Sequence, residues 1–120
     1  MAAWNALVLV LSGLMGAAGV GLAAIAAHLS GGEFVLLAAT FLLFHAAAGA
    51  AVTVHGPAAG RRGTVLLAAA TLLVVGATLF SGDLAARGLA DTPLLTAPVG
   101  GSVMILGWLI LAAAAFFRAG

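Results

Sequence analysis

"WNALVLVLSGLMGAAGVGLAAIAAHL", residues 4–29, contains no aspartate, glutamate, lysine or arginine. A membrane-spanning helix needs about 20 mostly apolar residues, and this run exceeds that length. "SGG" at 30–32 ends it, because adjacent glycines are poor helix formers and good turn formers. A second apolar run covers 34–55. "GPAAGRRG" at 56–63 then breaks the chain with Pro57, three glycines and two arginines. The third run starts near Thr64 and is strongly apolar to Phe80. It can continue as helix through "SGDLAARGL" to about Leu89. The fourth begins near Pro98, a residue suited to the first turn of a helix where its missing N–H costs nothing. It ends at Phe117, with Arg118 just beyond. The pattern predicts an all-α, integral membrane four-helix bundle with spans 4–29, 34–55, 64–89 and 98–117, forming one domain over 1–120.

Composition agrees. The chain is 65% hydrophobic and 6% charged, whereas a soluble domain is about 25% charged. Too little polar surface remains to cover a water-soluble globule. A net charge of +1 with no lysine argues against a nucleic-acid footprint. Without cysteine there is no disulfide, thiolate nucleophile or thiolate metal site. A cleaved signal peptide is the rival reading of the first run, since "AIA" at 24–26 has cleavage-like spacing. The missing basic start and the length of the run argue against it.

Four spans place both termini on one side. Arg61, Arg62 and Arg118 fall on that side and Arg87 on the other. The positive-inside rule therefore predicts cytoplasmic termini.

Gly13, Ala17 and Gly21 recur at intervals of four. Such small-residue stripes let helix backbones approach closely in lipid. Packing within the bundle is the favoured reading, and a dimer seam the alternative; Ser12 and Gly16 extend the same broad face. Thr40, Thr71 and Thr78 can return their hydroxyls to carbonyls one turn back.

The polar residues carry whatever chemistry there is. His28 closes the first span, Asp83 lies near the same membrane face, and Gly100 and Gly101 open the fourth span there. An intramembrane acid must reach water, pair or protonate. His28, Arg87 at i+4, or the unpaired N–H groups opening the fourth helix can each partner Asp83. An outer-layer pin of His28, Asp83, Arg87, Gly100 and Gly101 is the favoured reading; a solute-conducting role is the other. His45 sits mid-span, where a neutral imidazole can bond a carbonyl or threonine. A proton or solute role and cofactor ligation are its alternatives. His28, His45 and His55 lie at different depths, which argues against a bis-histidine haem. No hydrolase elbow, phosphate loop or metalloprotease motif occurs. No catalytic residue, metal ligand or cofactor is therefore assigned.

With these residues located, the chain resembles a family of small four-helix bacterial membrane proteins, the domain of unknown function 423, to which eukaryotic transmembrane protein 256 is similar. "GLAAIAAH" (21–28), "FLLFHA" (41–46), "FSGDL" (80–84) and "TAPVGGSVMILGW" (96–108) carry the resemblance, and they touch every span. It implies a four-helix inner-membrane protein and no particular activity. Two departures stand out. Family members often have a further histidine shortly before the one matching His45, where this chain has Leu42. They also usually have a small polar residue where Asp83 stands. A histidine pair is therefore not essential here, and local pairing of Asp83 is favoured over catalysis.

The expected function is that of a non-enzymatic structural or accessory subunit. It would pack laterally in the lipid bilayer against other membrane proteins or itself. A small homo-oligomeric transporter or channel using His45 and Asp83 is the alternative, and a cofactor-binding redox subunit a weaker one.

Overall fold

A computed structural model describes residues 2–30, 32–55 and 60–118. They form α1 (Ala2–Ala26), α2 (Glu33–His55), α3 (Gly60–Ala90) and α4 (Ala97–Ala113), the last tightening into a 3₁₀ turn over Ala114–Phe116. All four helices are long and apolar enough to cross a membrane, counting α4 with its 3₁₀ turn. The 31 residues of α3 span about 46 Å at 1.5 Å per residue. Hydrocarbon is only about 30 Å thick, so both ends of α3 reach the interfaces.

The sequence boundaries hold to within a few residues, with two informative shifts. Helix α1 stops at Ala26, so His28 lies in the exposed turn that follows. Helix α3 starts at Gly60, so Arg61 and Arg62 are helical rather than part of a linker. Arginine is a good helix former. Arg62 also gains from its place there: its Nε donates to the Phe117 carbonyl at 2.9 Å and its Nη2 to the Ala115 carbonyl at 3.4 Å. Its own backbone N–H reaches the Arg118 carbonyl at 3.1 Å. One side chain thus ties the start of α3 to the end of α4.

Helix α3 is central. It packs against α1, α2 and α4, while the backbone of α4 approaches no helix other than α3. The bundle is therefore open between α2 and α4. Met15, Leu42, Ala46, Val74, Ala77 and Met104 form one core cluster, and Val8, Val52, Leu67 and Ala70 a second towards the arginine end. At the closest point of α3 and α4, a Cβ added at Gly100 would lie 2.5 Å from the Phe80 nitrogen and 2.6 Å from the Gly76 carbonyl oxygen. Only paired glycines permit that approach, and dispersion between the helices is what it gains.

The glycine stripe on α1 is corrected. Gly13, Ala17 and Gly21 are exposed, and a Cβ at Gly13 or Gly21 would meet nothing within 4 Å. The face that packs inside the chain consists of Val8, Ser12, Met15 and Gly19, about 170° round the helix and so on its opposite side. That seam mixes large and small residues. Val8 and Met15 fill gaps between α2 and α3, while Gly19 admits Leu43 and the Ala39 carbonyl. The three threonines behave as expected. Thr40, Thr71 and Thr78 donate to the carbonyls of Leu36, Leu67 and Val74.

Candidate functional site: the Asp83 clamp and the His45–Trp108 bridge

Asp83 is completely buried on α3, and four donors surround its carboxylate. Arg87 Nε lies 2.9 Å from Oδ1 and Arg87 Nη2 3.4 Å from Oδ2. The Leu94 N–H donates to Oδ1 at 3.0 Å, and the Ala97 N–H to Oδ2 at 2.9 Å. The acid and arginine are neighbours because residues four apart share a helix face. The other two donors come from the connection after α3 and from the first residue of α4. The first N–H groups of a helix have no partner within it and favour negative charge. Thr96, the residue before α4, leaves that role vacant, because its hydroxyl donates to the Leu79 carbonyl at 2.8 Å. Asp83 therefore caps α4 from another helix.

The connection is shaped by the same bonds. Asp91 ends α3 at φ 49°, and Leu95 sits at φ 63°. Both are in the left-handed region that bulky L-residues avoid. Leu95 is held there by its neighbours: Leu94 and Ala97 donate to Asp83, and Thr96 donates to Leu79.

Of the expected outer-layer group, only Asp83 and Arg87 come together. His28 makes no bond to the acid and faces out from its turn, because α1 ends two residues before it. Gly100 is spent on the α3 contact, and Gly101 faces the groove between α2 and α4. The helix-opening donor is Ala97, ahead of Pro98. Both glycines lie too far into the helix, where N–H groups bond back to earlier carbonyls; that of Gly100 donates to Thr96 at 2.9 Å.

His45 is buried at mid-span. Its Nε2 accepts from Trp108 Nε1–H at 3.1 Å, and its Nδ1 faces the Phe41 carbonyl at 2.7 Å. An indole N–H is only a donor and a carbonyl only an acceptor. The proton therefore sits on Nδ1 and both ring nitrogens are used. Phe41 stacks on the imidazole with centroids 5.8 Å apart, and Trp108 meets it edge-on at 5.7 Å. The bond reaches across the open side of the bundle, above a groove of about 450 Å³ lined chiefly by Phe41, Phe44, Phe80, Met104 and Trp108. Sequence reasoning missed Trp108. It also missed Trp4, whose indole donates to Thr71 at 2.9 Å, and Asn5, whose amide donates to the Thr53 carbonyl at 3.1 Å. Tryptophan's single N–H needs a partner when buried, which is a signal that something faces it, though not what. Among the described residues no three of His, Cys, Asp or Glu converge as a metal site would require.

A membrane-embedded helical protein whose buried titratable groups, Asp83 and His45, are each held by partners from its own chain is the class that this geometry defines. The family of proteins of unknown function DUF423 matches residues 15–101, and the chain belongs to it. The match includes His45 and the whole Asp83 clamp and stops before Trp108. No curated protein and no solved structure matches the chain significantly.

Proposed function

We propose that this protein is a non-enzymatic, multi-pass subunit of the bacterial inner membrane, with both termini cytoplasmic, that packs laterally against other membrane proteins. The observation that carries this reading is the internal use of the two buried titratable side chains, Asp83 and His45. The Asp83 carboxylate takes four donors from its own chain, and His45 has a partner on each nitrogen. Conducting or catalytic groups need a free acceptor or donor for the solute, whereas these hold helices together. What remains to act is the lateral surface. On α1 the small-residue face of Gly13, Ala17 and Gly21 stands open, and such a face gains from another helix more than from lipid chains. The arginine distribution supports the orientation.

The test is purification in mild detergent followed by mass spectrometry of stoichiometric partners, with Ala17→Leu beside the parent. The reading expects a defined partner, or a defined homo-oligomer, that is lost in Ala17→Leu while the variant keeps the parent's unfolding midpoint. A parent that stays monomeric, or assemblies unaffected by the substitution, would count against lateral packing through α1. Proton or cation flux in vesicles of the parent, abolished by Asp83→Asn, would establish transport instead.

A further inference from the structure

The two ends of the molecule carry opposite charge. Glu33, Asp83 and Asp91 all lie at one end with Arg87, while Arg61, Arg62 and Arg118 lie at the other with no acid. At this basic end the three arginines differ in what they do. Arg62 is spent on the Phe117 and Ala115 carbonyls, and its backbone N–H on the Arg118 carbonyl. Arg61 and Arg118 are exposed, and neither guanidinium has a hydrogen-bond or ion-pair partner among the described residues. The Arg62 strut brings their two stretches of backbone side by side. Between them lies a cleft of about 450 Å³ lined by Arg61, Phe116, Phe117 and Arg118. Phe116 is 91% exposed, so its ring is almost unpacked among the described residues.

We propose that this cleft holds an anionic phospholipid, with its headgroup phosphate between Arg61 and Arg118 and its glycerol and upper acyl chain against Phe116 and Phe117. The chemistry is complementary at each point. Guanidinium forks match phosphate oxygens in two-point geometry. Phe116 and Phe117 stand at the end of the fourth apolar span beside the arginines, an apolar surface next to a charged one, which suits an amphipathic ligand. The start of α3 adds a positive dipole end next to Arg61. Basic clefts between helices at the membrane surface are suited to acidic headgroups. A free inorganic anion would use the arginines and leave the phenylalanines idle; a phospholipid uses both.

The experiment is native mass spectrometry of the full chain released from detergent containing equal amounts of phosphatidylglycerol and phosphatidylcholine. Each basic residue is worth on the order of fivefold in acidic-lipid binding, so the parent is expected to retain phosphatidylglycerol on the order of 20-fold over phosphatidylcholine. Arg61→Gln with Arg118→Gln should bring that ratio close to one, with unchanged helicity and unfolding midpoint in lipid-free detergent. If the double variant does not survive purification, the single variants are each expected to fall about halfway on a logarithmic scale. Equal retention of the two lipids by the parent, or undiminished preference in the variants, would overturn the proposal. A third arm adds inorganic phosphate at the concentration of the lipid. Persistence of bound phosphatidylglycerol supports a lipid site, and its complete displacement would make the cleft a site for free anions.

Discussion

Gly100→Ala adds a single carbon where α3 and α4 touch. The new Cβ falls 2.5 Å from the Phe80 nitrogen, 2.6 Å from the Gly76 carbonyl oxygen and 3.0 Å from Leu79 Cβ. Non-bonded carbon contacts are optimal at about 3.5–4.0 Å, so the helices must part by about 1 Å. The two nearest obstacles are backbone atoms, which cannot swing aside as a side-chain end can. Three residues earlier on α4, the Ala97 N–H lies 2.9 Å from Asp83 Oδ2. A withdrawal of about 1 Å takes it out of hydrogen-bond range, so the clamp fails together with the packing. Overfilling a packed contact costs about 1–3 kcal/mol. Gly101→Ala is the matched control one residue away. Its Cβ would meet only Phe80 Cδ2, at an ordinary 3.9 Å, and replacing glycine within a helix gains about 0.5–1 kcal/mol. Gly100→Ala shares that helix gain, so the two variants should differ by the overfilling cost alone, about 1–3 kcal/mol, with Gly101→Ala the more stable. Reversible unfolding in mixed micelles of rising dodecyl sulfate fraction, followed by circular dichroism, measures this. Equal stabilities for the two variants would refute the glycine contact and the account of α4 built on it.

Three further outcomes follow from the same geometry. Asp83→Leu should destabilise the protein more than Asp83→Asn in that unfolding assay, because the amide oxygen still accepts one N–H while leucine leaves both Leu94 and Ala97 unpaired; the reverse order would point to a cost of buried charge. Trp108→Phe should cost about 1 kcal/mol by removing the donor to His45 Nε2, and ¹⁵N spectra of the parent should show the proton on Nδ1; a proton on Nε2 would contradict the bridge. Leu95→Gly should stabilise the protein by about 0.5–1 kcal/mol, since it relieves a left-handed conformation costing about 1–2 kcal/mol and loses part of that gain to unfolded-state entropy; a marked loss of stability would mean that the exposed leucine side chain packs on something.

The number and limits of the helices were legible because punctuation is local. The glycines after Ser30, the break around Pro57 and the proline at 98 each act within a turn of their own position. Helix faces were not legible. In a soluble helix the polar side marks the outside, but α2 is apolar all round, and lipid removes the contrast that makes a stripe readable. The glycine spacing at 13, 17 and 21 was therefore as plausible a seam as Val8, Ser12, Met15 and Gly19, and only packing against α2 and α3 decides between them. The Asp83–Arg87 pair was readable from its i+4 spacing, and a role for the opening of α4 followed from Pro98. That Ala97 and Leu94 are the donors depends on how the 91–96 connection folds, including a left-handed Leu95 that no propensity favours. The His45–Trp108 bond joins residues 63 apart in sequence, and nothing local at either end announces the other.

Amide hydrogen exchange at Leu94, Leu95 and Ala97, measured by NMR on the protein in lipid nanodiscs, tests most directly the claim that Asp83 serves as an internal clamp. Leu94 and Ala97 donate to the carboxylate, while the intervening Leu95 N–H has no partner among the described residues. The account predicts slow exchange at 94 and 97, fast exchange at 95, and loss of protection at both slow sites in Asp83→Leu. Fast exchange at Leu94 and Ala97 in the parent, or protection that survives Asp83→Leu, would contradict it.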